Sequence, residues 1–219
     1  MAEIKFCGLT RPEDAREAAS LGASYLGVIF AGGPRQLTPE RAREVLGRVD
    51  AGGPRRVGVF ATVTPWEVAE LAHAAEVDIV QLHGGATPAE VEAVRRAAGC
   101  AVWAVIRVGA GGLPPEAAEL FAAADAVVVD AMVPGQLGGT GVALPWERLA
   151  PAIAEVKGTG RLVVAGGLTP GNVGEAVVAL RPHVVDVSSG VESAPGIKDH
   201  QRMRAFRDAV RDSEGVRTT

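Results

Sequence analysis

The sequence predicts an α/β protein that folds as a single (β/α)₈ TIM barrel. Short apolar runs rich in Val, Ile and Leu recur along the 219 residues, and each is followed by a turn and a helix-like segment. The runs begin at intervals of 21–36 residues. Eight such units fill the chain at about 27 residues each, which is tight but feasible for this fold. Several runs are continuously apolar, as expected of parallel strands that are buried on both faces.

The strands and helices follow from this alternation. The candidate strands are Ile4–Cys7, Tyr25–Phe30, Arg56–Phe60, Ile79–Leu82, Ala101–Val105, Ala126–Asp130, Leu162–Ala165 and Val184–Val187. Helical spacing of apolar residues between the strands predicts, among others, helices over Arg11–Ser20, Pro39–Val49, Pro65–Ala75, Pro88–Ala98 and Arg202–Val210. Threonine followed by proline is typical of a helix start, because the threonine caps an exposed amide and the proline needs no hydrogen bond. This pair occurs at Thr38, Thr64, Thr87 and Thr169.

The domain organisation is simple. No linker rich in Pro or Ser divides the chain, and the regular spacing leaves no room for a second domain. We therefore expect one catalytic barrel over residues 1–212, with residues 213–219 as a frayed tail.

Composition excludes several classes of protein. The net charge of −4 argues against a nucleic-acid binder, and no apolar run reaches the length that spans a bilayer. Without a signal region at its N-terminus, the protein is expected to be cytoplasmic, as a monomer or a homodimer. Two cysteines are too few for a disulfide framework, and the four scattered histidines give no support for a metal site.

The chemistry of this fold belongs at the C-terminal ends of the strands, where Cys7 and Asp130 end two of the predicted strands. A thiol serves as a base or a nucleophile where its pKa is lowered. Burying a carboxylate is costly, so Asp130 has little reason to be there for stability, and burial would raise its pKa as a general acid requires. Their alternatives are a buried small hydrophobe for Cys7 and a loop cap for Asp130. Cys100 precedes the fifth strand at the opposite face and is interpreted as structural.

Lys5 lies two residues before Cys7 and should point the same way. Its ammonium either tunes the thiol electrostatically or pairs with an interior carboxylate such as Asp186. The sequence leaves both options open.

Glycine-rich loops follow the last three strands, at Gly138–Gly141, Gly166–Gly167 and Ser188–Gly190. Such loops form a recurrent phosphate site in this fold, since glycines let backbone amides approach anionic oxygens. Arg35, in the loop after the second strand, has the shape to hold a carboxylate bidentately. His83 ends the fourth strand, either as a neutral hydrogen-bond donor or as a histidine that packs a loop.

The ordered motifs resemble one family. They are Lys5–Thr10 (KFCGLT), Pro34-Arg35 before Thr38-Pro39, Gln81–Gly84 (QLHG), Asp130 before Gly138–Gly141 (GGTG), Ala165–Val173 (AGGLTPGNV), Val185–Val191 (VDVSSGV) and Gly196–His200 (GIKDH). In this order, across nearly the whole chain, they resemble the phosphoribosylanthranilate isomerase family of tryptophan biosynthesis.

The resemblance implies an Amadori rearrangement of N-(5-phosphoribosyl)anthranilate to 1-(2-carboxyphenylamino)-1-deoxyribulose 5-phosphate, without cofactor or metal. It implies that Asp130 is the general acid at the ribose ring oxygen and that Cys7 is the general base at C2. It also implies that Arg35 holds the anthranilate carboxylate. The full set expected to bind this phosphosugar substrate is Lys5, Arg35, His83, Gly139, Gly166, Gly167, Ser188, Ser189 and Gly190.

Other functions remain open at this point. One is a related phosphate-binding barrel of tryptophan or histidine biosynthesis, such as indole-glycerol-phosphate synthase or the aminoaldose isomerase. The first is expected to need further lysine catalysts and the second an aspartate where this chain has Cys7. A non-catalytic phosphosugar-binding barrel and a hydrolase built on Cys7 and His83 are the remaining alternatives.

Overall fold

Eight parallel strands form a closed barrel in the order of the chain, in a computed structural model that describes residues 1–47, 52–61, 64–109, 112–131 and 146–215. The barrel strands are β1 (Glu3–Phe6), β2 (Tyr25–Ile29), β3 (Arg55–Phe60), β4 (Ile79–Leu82), β5 (Ala101–Val108), β6 (Ala126–Ala131), β7 (Leu162–Val164) and β8 (Val184–Val187). Pairing between β1 and β8 closes the barrel and aligns Lys5 with Asp186. The predicted fold class is thus confirmed.

Among the described residues, eight α-helices surround the barrel: α1 (Pro12–Ser20), α2 (Pro39–Leu46), α3 (Pro65–Ala74), α4 (Pro88–Ala98), α5 (Ala117–Ala123), α6 (Trp146–Lys157), α7 (Val173–Leu180) and α8 (His200–Gly215). In the described ranges, none of them combines the length and apolar character that crossing a bilayer requires. The helix α8 continues three residues past the expected end of the barrel at residue 212. A hydrogen bond from the buried Ser213 hydroxyl to the Val210 carbonyl stabilises this last part of the helix.

Three of the four predicted threonine caps are present. Thr38, Thr64 and Thr87 each accept a hydrogen bond from a backbone amide in the first turn of α2, α3 or α4, and a proline follows each cap. The prediction is wrong at Thr169, because α7 begins only at Val173. There the amide of Thr169 donates to the side chain of Asn172, which makes a turn ahead of the helix.

Side chains alternate between two apolar regions along each strand. One region lies between the sheet and the helices, and the other fills the barrel interior. The interior is filled by Tyr25, Val57, Ile79, Trp103, Val105, Ala126, Val128, Val163, Ala165 and Val184. Continuing the alternation by two residues places Gln81, Asp130 and Asp186 in the same interior, toward the C-terminal mouth.

Two further features extend past the predicted elements. The strand β5 continues to Val108 rather than Val105, because it pairs with β6 over six residues and aligns Arg107 with Asp130. A short antiparallel hairpin, β9 (Glu192–Ala194) and β10 (Ile197–Lys198), lies between β8 and α8 and was not predicted.

Candidate active site

Cys7 directly follows β1 at the mouth of the barrel, and its side chain is buried. Gly27, on the neighbouring strand β2, leaves the space that the thiol occupies. A Cβ at Gly27 would lie 2.9 Å from Cys7 Sγ and 3.2 Å from Lys5 Cε. A side chain at residue 27 would therefore displace both groups.

Lys5 and Asp186 form a buried ion pair, with Lys5 Nζ 2.7 Å from Asp186 Oδ2. Burial by itself would lower the pKa of Lys5, but the charge of Asp186 and the hydrogen bonds to Asp186 and Cys7 oppose it, and the net result is a raised pKa. The lysine therefore stays protonated. Of the two options for Lys5, the structure shows the pair with Asp186, and the same ammonium also acts on the thiol.

Burial raises the pKa of the Cys7 thiol above its ordinary value, while the positive charges of Lys5 and Lys198 oppose the rise. The thiol is therefore protonated at neutral pH in the unliganded protein. This differs from the lowered pKa that a base at this position was expected to have. A bound cationic species would favour the thiolate, because an opposite charge nearby stabilises the charged form. Cys7 and Cys100 are both free, and Cys100 lies just before β5 at the other end of the barrel.

Asp130 is buried near the end of β6, and His83 follows β4 on the same side of the mouth. His83 Nε2 lies 3.9 Å from Asp130 Oδ2. Burial, with the charges of Arg107 and Lys5, lowers the pKa of His83 to about 4. The imidazole is thus neutral at physiological pH. This fits the donor option for His83, and Arg107 fixes the strand end by donating to the His83 carbonyl at 3.1 Å.

Arg35 is held by an internal carboxylate. Its Nε donates to Glu192 Oε1 at 2.9 Å and its Nη2 to Glu192 Oε2 at 2.6 Å. Lys198 Nζ lies 2.8 Å from the same Oε1. Sequence reasoning gave no role to Glu192 or Lys198, because the hairpin that carries them was not predicted. Arg107 was missed as well, since it lies beyond the predicted end of β5.

The loops after β7 and β8 touch one another closely. Gly166 and Gly167 have φ of +85° and +65°, a region that favours glycine. Asn172 anchors this loop by donating to the Gly167 carbonyl at 2.9 Å. A Cβ at Gly190 would lie 1.8 Å from the Leu168 carbonyl oxygen, so only glycine fits there. Ser189 and Gly190 begin a short 3₁₀ turn that ends at Val191.

The predicted residues largely converge on this mouth. Gly8 shows how close two of the loops come, because a Cβ there would lie 2.7 Å from Arg35 Cδ and 2.8 Å from Ser188 Oγ. Cys7, Arg35 and Ser188 are therefore neighbours. Gly139 belongs to the predicted set too, but it lies outside the described residues.

Three buried polar atoms at the mouth have no hydrogen-bond partner within the described ranges. They are Gln81 Oε1, His83 Nδ1 and Asp186 Oδ1. Leaving such atoms unpaired costs free energy, and active sites are where native proteins accept that cost. The mouth thus presents unpaired polar atoms to a polar ligand. In the same ranges, no three His, Cys, Asp or Glu side chains are grouped so as to hold a metal ion.

Comparison with known proteins agrees with this arrangement. The family model for N-(5'-phosphoribosyl)anthranilate (PRA) isomerase matches residues 4–209. An N-(5'-phosphoribosyl)anthranilate isomerase of Rubrobacter xylanophilus is 42% identical over 212 residues, which cover 96% of this chain and 100% of the relative.

Solved structures lead to the same family. The phosphoribosyl anthranilate isomerase of Thermus thermophilus superimposes with a TM-score of 0.83 at 38% identity, over 96% of this chain and 98% of that one. A second phosphoribosyl anthranilate isomerase was solved in complex with reduced 1-(o-carboxyphenylamino)-1-deoxyribulose 5-phosphate. It superimposes with a TM-score of 0.81 at 29% identity, over 97% of this chain and 100% of that one. The chain belongs to the phosphoribosylanthranilate isomerase family.

Proposed function

We propose that Cys7 and Asp130 are the general base and the general acid with which this chain, an isomerase of tryptophan biosynthesis, converts N-(5-phosphoribosyl)anthranilate into 1-(2-carboxyphenylamino)-1-deoxyribulose 5-phosphate. The observation that carries the proposal is the pairing of a buried thiol after β1 with a buried carboxyl group on β6, at one mouth and beside two glycine loops. An acid and a base on different strands suit a reaction that moves one proton on and another off the same sugar.

The proposed sequence of steps conserves all atoms. Asp130 donates a proton to the furanose ring oxygen, and the C1–O bond breaks to leave an open-chain iminium cation and the Asp130 carboxylate. Cys7 first loses its own proton to solvent; the thiolate then takes the proton from C2, and the electron pair of that bond neutralises the iminium to give an enolamine. Tautomerisation gives the ketone. The cationic intermediate helps to form the thiolate whose pKa burial has raised.

The remaining contacts are assigned by charge. Glu192 engages Nε and Nη2 of Arg35, so Nη1 is the nitrogen that we assign to the anthranilate carboxylate. To His83, which is neutral at physiological pH, we assign a hydrogen bond near the ring oxygen. The phosphate is assigned to Gly139, Gly166, Gly167, Ser188, Ser189 and Gly190. The role assigned to Lys5 is to favour the Cys7 thiolate through its positive charge.

The decisive experiment measures the fall in substrate fluorescence as the purified protein consumes phosphoribosylanthranilate. General acids and bases contribute about 10²–10⁴-fold each, so Asp130→Asn and Cys7→Ser should each lower kcat by at least about 10². Cys100→Ser serves as the matched control and should leave kcat unchanged. Near-full turnover by Asp130→Asn would show that the acid is another group. Binding without turnover by the unaltered protein would favour a non-catalytic phosphosugar-binding barrel.

The phosphate assignment has its own test. Gly190→Ala places a Cβ against the Leu168 carbonyl and must move one of the two loops. We expect KM to rise by about tenfold or more, because small displacements of positioning groups are costly. Gly171→Ala is the control, since its Cβ meets nothing closer than 3.8 Å. Equal KM values for the two variants would remove these loops from the phosphate site.

We further propose that the protein acts in the cytoplasm as a monomer or a homodimer, without cofactor or metal, nucleic-acid partner or membrane partner. Light scattering coupled to size exclusion distinguishes the two oligomeric states. Turnover that survives dialysis against EDTA is the expected result for an enzyme that uses no metal.

A further inference from the structure

We propose that Glu192 and Lys198 are positioning residues for the isomerisation, which hold the Arg35 guanidinium in place and put a positive charge beside Cys7. The inference rests on the proposed roles of Arg35 and Cys7. Neither Glu192 nor Lys198 is assigned to the reacting atoms or to the phosphate. Within the described residues, their one side-chain contact with a loop assigned to phosphate is the hydrogen bond from Lys198 Nζ to the Ser188 carbonyl.

Both residues lie on the hairpin β9–β10, whose register places Lys198 opposite Glu192. The Lys198 side chain is 0% exposed and that of Glu192 is 4% exposed. Replacing a buried ion pair with apolar residues is often neutral or stabilising, so stability alone does not explain why this pair is there. A two-stranded hairpin this short is also marginal by itself, which makes a role toward its neighbours the better explanation.

The Glu192 carboxylate bridges two cations. Its Oε1 accepts from Lys198 Nζ and from Arg35 Nε, while its Oε2 accepts from Arg35 Nη2. Arg35 therefore cannot rotate without breaking two charged hydrogen bonds. The three side chains together carry one net positive charge, which suits a site for an anionic ligand.

Lys198 also reaches the loop after β8, since its Nζ donates to the Ser188 carbonyl at 3.1 Å. One ammonium thus contacts both the carboxylate that orients Arg35 and the loop assigned to phosphate. The Arg35 side chain crosses Gly8, the residue directly after Cys7. Glu192 and Lys198 are thus placed to set two distances: from Cys7 to Arg35, assigned to the substrate carboxylate, and from Cys7 to the loop assigned to phosphate.

The hairpin is fastened to the segment that follows Cys7. The amide of Lys198 donates to the buried Asp14 carboxylate at 3.2 Å, and the Thr10 hydroxyl donates to the Gly196 carbonyl. Arg11 and His200 also contact Asp14. The base and the hairpin therefore cannot shift independently.

In the described part of the chain, four charged groups interact electrostatically with the Cys7 thiol: Lys5 from β1, Asp186 from β8, Lys198 from the hairpin and Arg35 from the loop after β2. The facing residue of β2 is Gly27, which carries no charge. Because Lys5 is paired with Asp186, Lys198 and Arg35 supply the cationic excess. Burial lowers the pKa of Lys198, and Glu192 opposes that change. Glu192 thus helps to keep the lysine charged.

The first test titrates the thiol directly, which requires no turnover. In a Cys100→Ala background with ¹³C-labelled cysteine, the Cβ chemical shift of Cys7 is followed against pH. We expect the midpoint to rise by at least about 0.5 pH in Lys198→Met, because a nearby cation favours the thiolate, and to return toward the parent value in Lys198→Arg. An unchanged midpoint in Lys198→Met, or no recovery in Lys198→Arg, overturns the electrostatic role.

The second test separates KM from kcat. Glu192→Gln should raise KM by about tenfold while kcat falls less, because the guanidinium loses the carboxylate that orients it. The control is Glu44→Gln, which removes an exposed partner of Arg41. A lower KM in Glu192→Gln would mean that the carboxylate competes with substrate, and it overturns the positioning role.

If a single variant does not fold, the double variant Glu192→Gln/Lys198→Met replaces the buried pair with neutral side chains of similar size. It should show both the higher KM and the higher thiol midpoint, and parent values for the two would overturn the proposal. Failure of the proposed function is recognised separately. In that case the protein does not isomerise the substrate, whereas the thiol titration still reports on Lys198.

Discussion

Around the mouth of the barrel, the side formed by β1, β8 and the hairpin differs in charge from the side formed by β4, β5 and β6. The first side, which we term the base side, holds Cys7 among paired ions, with Lys5 on Asp186 and Arg35 on Glu192. The second, the acid side, pairs Asp130 with a neutral imidazole 3.9 Å away.

The difference indicates that the two groups we propose as base and acid lie in unlike electrostatic surroundings. On the base side, charges that neutralise one another hold the groups in position, and what remains is a small cationic excess at the thiol. On the acid side, burial keeps the His83 imidazole uncharged, and the nearby cation is Arg107 of β5, which is aligned with Asp130. We expect substitutions on the base side to affect folding strongly, and those on the acid side to affect the dependence on pH.

The largest effect is expected from Lys5→Met. It leaves the Asp186 carboxylate buried without its ammonium, and removing one partner of a buried pair costs about 3–5 kcal/mol. Urea unfolding at pH 7 measures the loss. Lys157→Met, at the partly exposed end of α6, is the matched control and should cost little. Equal unfolding free energies for the two variants would contradict the description of the base side as an ion network.

A smaller effect, dependent on pH, is expected from His83. Its pKa is about 4 in the folded protein against 6.5 unfolded, so the unfolded state binds the extra proton first as the pH falls. The contribution is fully present above pH 6.5 and is lost on going down to pH 4, by about 3 kcal/mol. In His83→Gln this loss should disappear.

Urea unfolding of both proteins at pH 7 and pH 4.5 tests the prediction for His83. Titrating carboxylates contribute to both proteins alike, so the difference between the two pH dependences isolates the imidazole. If the variant and the parent lose the same unfolding free energy between pH 7 and pH 4.5, His83 is not held neutral by burial.

The smallest of the three effects is on binding. Arg35→Ala should raise KM by about tenfold or more with little change in kcat, since a hydrogen bond to a charged group contributes about 1.5–3 kcal/mol. Arg41→Ala, an exposed arginine on the next helix, is the control. An unchanged KM in Arg35→Ala would remove Arg35 from substrate binding and leave it as a structural partner of Glu192.

Much of the fold could be predicted from the sequence because its signals are local. Largely apolar runs of four to six residues predict each barrel strand, and the threonine caps at Thr38, Thr64 and Thr87 mark helix starts. The cap at Thr169 failed because the side chain of Asn172 satisfies the same amide in a turn. The hairpin went unpredicted, since strands of three and two residues carry almost no pattern.

The candidate site divides in the same way. Cys7, Asp130 and the glycine loops were found from their place at strand ends, a rule that needs only the order of elements. Glu192, Lys198 and Arg107 were missed, because their importance lies in which side chain they meet. The option of a carboxylate-binding Arg35 took no account of Glu192, which lies 157 residues away in the chain.

By itself, the sequence determined the barrel and singled out Cys7 and Asp130 as the candidate pair at the C-terminal ends of its strands, because apolar periodicity and strand ends are local properties. Only the tertiary structure decided that Lys5 is paired with Asp186, 181 residues away, and that Arg35 is already held by a carboxylate. It also decided that His83 is neutral and that the thiol starts protonated. The physical reason is that ionisation depends on burial and on the charges nearby, and both are set by how distant segments pack.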